Sequence, residues 1–348
     1  FFIDSYRCNT TDSFLSTDFI ILYPHLEAKG IKLVFLQTML STLYSEGTPP
    51  LNADLLPENQ KTVKKAWKRL FWQRKVQRFK DKIKYLGKDD LSMVRQKFGE
   101  NKIPQKYKII TNTSFRISFA NIPEWILAPA ELEFFPERKA AWQTYLGSMI
   151  DLNRKEFGDE KYADFEEQIQ DFKNSGKKLI YCSFGTLTHL NAEGTIQFFR
   201  NILQAVKDSP NYILICSGTE DIQKQIQALP KNTYWFKFVP QLRLLAEVDV
   251  FVTHEGLNSI KESLYFCVPM LIYPMYSSTD NIGNAARIFH HRLGLRGEID
   301  SDSPQDIAAK ISELLTNPIY RQNLHEFKEK TAANYTEERV LKLLEEVL

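Results

Sequence analysis

Short apolar runs separated by stretches of helical period organise the second half of this chain. Residues 179–183, 212–216, 234–238, 248–252 and 270–273 are largely apolar or aromatic segments of four or five positions, broken only by Ser183, Lys237 and Asp249, the pattern of strands buried on both faces of a parallel sheet. Between them, segments such as 195–207 repeat their apolar positions with helical period, so the order reads βαβ throughout. Residues 304–348 read as helices. The first half is less regular: residues 32–36 and 108–112 read as strands, and a Pro-containing irregular stretch runs through Pro136. The predicted class is α/β.

At 348 residues and 43% hydrophobic content the chain can build two domains with substantial cores, which excludes a disordered or fibrous protein. A formal net charge of +2 gives no global drive towards nucleic acid. No apolar run reaches bilayer-spanning length. Cys8, Cys182, Cys216 and Cys267 lack metal-ligand spacing, and two of them sit in strand-like runs, which points to a reducing cytoplasm. Sequons at Asn9, Asn112 and Asn334 are frequent by chance and do not establish secretion.

One segment departs from this balance. Residues 61–84 hold eleven basic side chains and one acidic, interleaved with Val63, Trp67, Leu70, Phe71, Val76, Phe79 and Ile83. This predicts a basic amphipathic helix, read either as a solvated face or as a peripheral contact for an anionic membrane or lipid-like acceptor. With no base-reading motif beside it, nucleic acid is not an expected partner. Asp300-Ser301-Asp302 precedes Ser303-Pro304 and reads as a helix start, so no metal is expected.

The densest chemistry lies between residues 238 and 297. A predicted strand ends at His254 and a predicted helix opens on Gly256-Leu257-Asn258-Ser259, whose free amides and N-cap oxygen form an anion site of diphosphate size. Around it stand Phe238-Val239-Pro240-Gln241 upstream, Glu262 one turn into the helix, Val268-Pro269, Pro274 and Asp280-Asn281. Upstream again is Ser183-Phe184-Gly185-Thr186.

This constellation resembles the nucleotide-sugar signature of family 1 UDP-dependent glycosyltransferases. The resemblance implies the GT-B fold, two facing Rossmann-like domains, with the first incomplete in this chain. It divides the chain into a partial acceptor domain (1–150), a linker with a short helix (151–176), a nucleotide-sugar domain (177–334) and a last helix (335–348) crossing back to the first domain. It further implies that Phe238 stacks on uracil, the backbone of Val239 pairs with the base edge, and Gln241 and Glu262 hold the ribose. Ser183, Gly185, Thr186, His254, Gly256, Leu257, Asn258 and Ser259 would surround the diphosphate, and Asp280 and Asn281 the sugar. Asn281 is one methylene shorter than the family's Gln, and the sugar's identity stays open.

The implied chemistry is inverting and needs no cofactor, the UDP-sugar being the donor substrate. The family's catalytic histidine has no match between residues 1 and 348. Its orienting aspartate matches Asp4, with Asp12 as the second candidate. The acceptor is expected to be small and apolar or lipid-like, from aromatics that include Trp67, Trp72, Trp125 and Phe135. A non-catalytic or partner-completed UDP-sugar-binding module is the alternative. A sugar epimerase is a third reading, for which no acid/base carboxylates can be assigned.

Overall fold

The computed structural model describes residues 2–4, 26, 29–31, 34–100, 102–115, 117–184, 192–226, 229–254, 256–274 and 280–347. The chain divides into two compact units, one formed by Phe1–Met149 with Thr331–Leu348, the other by Ile150–Lys330.

The first unit contains β1 (Phe2–Asp4), β2 (Val34–Gln37), α1 (Gln60–Lys84), α2 (Asp90–Glu100), β3 (Ile109–Ile110), β4 (Ser118–Phe119), β5 (Glu124–Ile126) and β6 (Gln143–Tyr145). A four-stranded sheet in the order β1-β2-β5-β6 is parallel at every pairing. The run at 108–112 does not join it: β3 pairs antiparallel with β4 as a separate ribbon. β5 and β6 lie in or beyond the stretch read as irregular because polar residues interrupt them. Buried Gln143 donates Nε2 to Glu124 Oε2 at 2.9 Å, and burial pushes the Glu124 carboxyl up to about 7.

Two aromatics expected to line an acceptor pocket are core residues. Trp125 packs with Val34 and Leu146, and Trp67 is buried with its indole N–H donated to Thr48 O at 2.7 Å. Phe135 carries Arg138 on its ring face at 3.8 Å, beside a cavity of about 30 Å³, enough for a water and too small for an acceptor.

The second unit is α3 (Glu160–Asn174), β7 (Lys178–Ser183), α4 (Ala192–Val206), β8 (Tyr212–Ser217), α5 (Glu220–Gln225), β9 (Thr233–Phe236), α6 (Gln241–Leu245), β10 (Val250–Thr253), α7 (Leu257–Tyr265), β11 (Met270–Ile272), α8 (Asn281–His290), β12 (Gly294–Arg296), α9 (Pro304–Thr316) and most of α10 (Ile319–Asn334). Its six strands are parallel in the order β12-β11-β10-β7-β8-β9. That order reverses between β7 and β10, and open α/β sheets place their ligands at the carboxyl ends of the strands flanking such a point. Ile180, Cys182, Leu214, Val250, Val252 and Leu271 fill the core against Phe198, Phe199, Ile307 and Ile311 from α4 and α9.

Residues 151–176, expected as a linker, belong to this second unit. Helix α3 buries Tyr162, Phe165 and Ile169, and the Phe165 ring lies 4.7 Å from Tyr234 and 5.3 Å from Phe236. The high surface charge of the segment conceals this apolar stripe.

After α10, α11 (Glu337–Val347) packs Leu343 and Leu344 onto Val34, Trp125 and Leu146 of the first unit. Ala130 N donates to Tyr335 Oη at 2.8 Å. Gly147, at φ +80°, permits this approach, since a Cβ there would fall 2.7 Å from the Tyr335 ring.

Candidate functional site

The expected site residues of the second unit gather around the switch point. β7 ends at Ser183 and β10 at Thr253, which are register partners, so His254 leaves the sheet beside Ser183. Ser183 Oγ lies 3.1 Å from Ser217 Oγ on the next strand. Gly185, Thr186, Asp12 and Glu255 lie outside the described residues. Asp4 closes β1 in the first unit, opposite Leu36 in the parallel register.

Helix α7 starts on Gly256, which stands at the N-cap with no side-chain hydrogen bond. This corrects the expectation that Asn258 or Ser259 supplies the cap: both lie inside the first turn. The physical consequence is favourable to an anion, because the first-turn amides of Leu257, Asn258 and Ser259 have no carbonyl one turn earlier in the helix and no capping oxygen among the described residues competes for them. A residue with a Cβ at Gly256 would come within 3.9 Å of His254 Nε2.

His254 is 8% exposed, and burial brings its imidazole down to about 4, against which a hydrogen bond with the Ser183 backbone works. It is therefore neutral near pH 7, and its buried Nδ1 has no hydrogen-bond partner among the described residues. A buried polar atom left unmatched at a strand end is costly unless a ligand engages it. The Phe184 ring meets the imidazole edge-on at 6.3 Å.

Gln241 and Glu262 come together. Gln241 opens α6, accepts from Tyr181 Oη at 3.3 Å, and donates Nε2 to Glu262 Oε2 at 2.6 Å and to Ser259 Oγ at 3.3 Å. Glu262 is 3% exposed, so it is not an ordinary surface carboxylate of its helix. Its charge is met by Arg154, whose Nη1 and Nη2 reach Oε1 at 2.5 Å and Oε2 at 3.3 Å. Arg154 is itself shared with Glu156 at 2.9 Å.

The segment just before α3 therefore braces the loop that carries Phe238 and Gln241. Glu156 accepts from Leu242 N through both oxygens at 3.0 Å, capping α6. Asp159 donates its N–H to Phe238 O at 2.9 Å and accepts from Lys237 N at 3.3 Å. Gly158 lies against Pro240, where a Cβ would sit 3.4 Å from the proline ring. Arg154, Glu156 and Asp159 were missed in the sequence because their partners lie 78–108 positions away. Phe238 is 55% exposed and so is not a core residue, with Lys237 Nζ over its ring at 5.8 Å. Val239 is half-buried, and its backbone takes no hydrogen bond among the described residues.

Asp280 and Asn281 stand at the start of α8, both 9% exposed. Asn281 spends its Nδ2 on His254 O at 3.0 Å, tying this helix to the end of β10. Asp280 accepts from Asn284 Nδ2 at 3.1 Å, and burial raises its carboxyl above the usual range. Arg287, two turns along and 1% exposed, donates to Gly283 O at 3.1 Å. Asn284 and Arg287 carry no local signal beyond their spacing from Asp280. Asp302 takes its hydrogen bonds from Tyr273 Oη at 2.8 Å and from Lys310, and Asp306 forms a capping box with Ser303. The described residues contain no cluster of three His, Cys, Asp or Glu able to hold a metal ion.

The second unit is thus an open parallel α/β sheet with a strand-to-helix turn at its switch point, where such sheets place their ligands. The family model described as UDP-glucoronosyl and UDP-glucosyl transferase matches residues 125–329, more than half of the chain, which belongs to that family. It is 26% identical over 182 residues to the uncharacterised UDP-glucosyltransferase YdhE of Bacillus subtilis, covering 52% of this chain and 43% of that protein. Zeaxanthin glucosyltransferase of Pantoea ananas is 26% identical over 167 residues, 47% of this chain and 37% of that one. The chain thus spans less than half the length of these curated relatives. Among solved structures, the glycotransferase of kitacinnamycin superposes with a TM-score of 0.64 at 18% identity, covering 96% of this chain and 74% of that one. The calicheamicin glycosyltransferase CalG4 gives 0.62 at 15%, covering 94% and 71%. The fold is GT-B.

Proposed function

We propose that the second unit binds a UDP-sugar and that the protein transfers the sugar, with inversion and without a metal, to a hydroxyl of a small apolar or lipid-like acceptor. The observation carrying this reading is the paired Gln241 and Glu262, set between an exposed Phe238 and the uncapped start of α7. In this reading Phe238 stacks on uracil, Val239 meets the base edge, and Gln241 and Glu262 receive the ribose hydroxyls. His254, Gly256 and the amides of Leu257, Asn258 and Ser259, with Ser183, Gly185 and Thr186, meet the diphosphate, and Asp280 and Asn281 the sugar.

One displacement suffices. The acceptor oxygen, losing its proton to a base oriented by Asp4, bonds to the anomeric carbon as the bond to the diphosphate oxygen breaks, and UDP leaves with the electron pair. Helix amides and the imidazole N–H stabilise the growing charge on UDP, the task a metal performs elsewhere. Anomeric NMR of the product tests this: an α-linked donor should give a β-linked product at a rate unchanged by chelator. Retention of configuration, or loss of turnover on chelation, would overturn the mechanism.

A further inference from the structure

Helix α1 is amphipathic in the opposite sense to an ordinary surface helix. Val63 and Trp67 bury its first half. In its second half the inward side carries arginines: Arg74 donates to Thr111 O at 3.2 Å, Thr113 Oγ1 at 3.1 Å and Phe115 O at 2.6 Å, and Arg78 pairs with Asp90 at 2.9 Å. These bonds fix the rotation of the helix and send its large apolar residues outward. Trp72, Phe79 and Ile83 are 67%, 65% and 67% exposed, and with Val76 they follow one another at helical spacing along a single ridge.

A further exposed apolar residue follows the helix end. Leu86 takes the left-handed position where glycine is usual, at φ +52°, with Gly87 N bonded back to Lys82 O at 2.7 Å, and is 95% exposed. Lys75, Lys80 and Lys82 are exposed along both flanks, within roughly 80° of the ridge at 100° per residue. An apolar ridge bordered by lysines matches the boundary between acyl chains and anionic headgroups. A second copy is the wrong partner, since it would bring the exposed Lys75, Lys80 and Lys82 of this face against the same lysines of its mate.

We propose that the outer face of α1 docks the protein on an anionic lipid surface, with Trp72, Val76, Phe79, Ile83 and Leu86 entering the acyl boundary and Lys75, Lys80 and Lys82 meeting the headgroups. This does not depend on the donor site.

The test is flotation of the full chain with phosphatidylcholine vesicles, with and without about 30% phosphatidylserine. The chain should float with the anionic vesicles only, and several-fold less when salt rises from about 0.1 to about 0.5 M. W72S/F79S/I83S, altered only at exposed positions, should keep its melting temperature and lose roughly tenfold or more of the partitioning. W72F should float like the parent and lose the blue shift of tryptophan emission that vesicles induce. Failure of the parent to float, or undiminished flotation of the triple variant, overturns the proposal. A dimer in light scattering that the triple variant dissolves, or retention on nucleic acid without flotation, assigns the face to another partner and also overturns it.

Discussion

Glu262→Gln separates the ribose reading from a purely structural role for this carboxylate. A carboxylate offers about four lone-pair positions. Here three are occupied, two by the Arg154 guanidinium and one by Gln241. In the ribose reading a diol needs two positions where one is open, so it displaces the weakest contact, the 3.3 Å bond from Arg154 Nη2. The amide preserves shape and one acceptor and removes the charge. Its cost to folding is moderated by the 38% exposure of the Arg154 side chain and by the remaining partner Glu156, which suggests about 1 kcal/mol rather than the larger loss of a fully buried pair. The loss in binding should be larger, roughly 1 to 3 kcal/mol, because a hydrogen bond to a charged acceptor is lost in a nearly buried position. Calorimetry with UDP and 2′-deoxy-UDP reads the difference. The parent should prefer UDP by about tenfold or more, and the variant should bind both nearly alike. Unchanged discrimination in a folded variant would refute the ribose assignment.

Three further outcomes follow from the geometry. For His254, whose imidazole stands at about 4 when folded against about 6.5 unfolded, the unfolded chain binds the proton first. Its contribution is complete above pH 6.5 and lost as pH falls towards 4, on the order of 3 kcal/mol at most; denaturant titrations of the parent and His254→Gln should converge across that window. Phe238→Ala, at an exposed position, should shift stability by no more than about 0.5 kcal/mol yet weaken UDP binding by roughly 1 to 3 kcal/mol, and equal loss of uridine-free diphosphate binding would argue against stacking. Gly294→Ala places a Cβ 2.2 Å from Met270 O, a backbone atom of the neighbouring strand, and should cost about 3 kcal/mol in thermal unfolding.

The strands of the second unit were legible because strands buried on both faces are written as largely apolar runs, as 248–252 and 179–183 are, and because the turn after β10 concentrates His254, Gly256, Asn258 and Ser259 within a few positions. What escaped was the chemistry assembled from afar. Arg154 is one charge among many in a polar stretch, and only folding reveals that it meets Glu262, 108 positions on. β5 and β6 were hidden by Glu124 and Gln143, which satisfy each other inside the sheet and so break the pattern that identifies a strand. The basic helix was legible as amphipathic, but the rotation that turns Trp72 outward depends on Arg74 finding three acceptors between Thr111 and Phe115. The cap of α7 was assigned to side chains where the backbone uses Gly256, since local preference favours Asn and Ser and cannot anticipate a turn kept open.

The most direct measurement is calorimetric titration of this chain with UDP, ADP and GDP, repeated with His254→Ala. Binding should be selective for UDP and weakened in the variant; a folded chain that binds none of the three, or binds them equally, would refute a UDP site at the switch point.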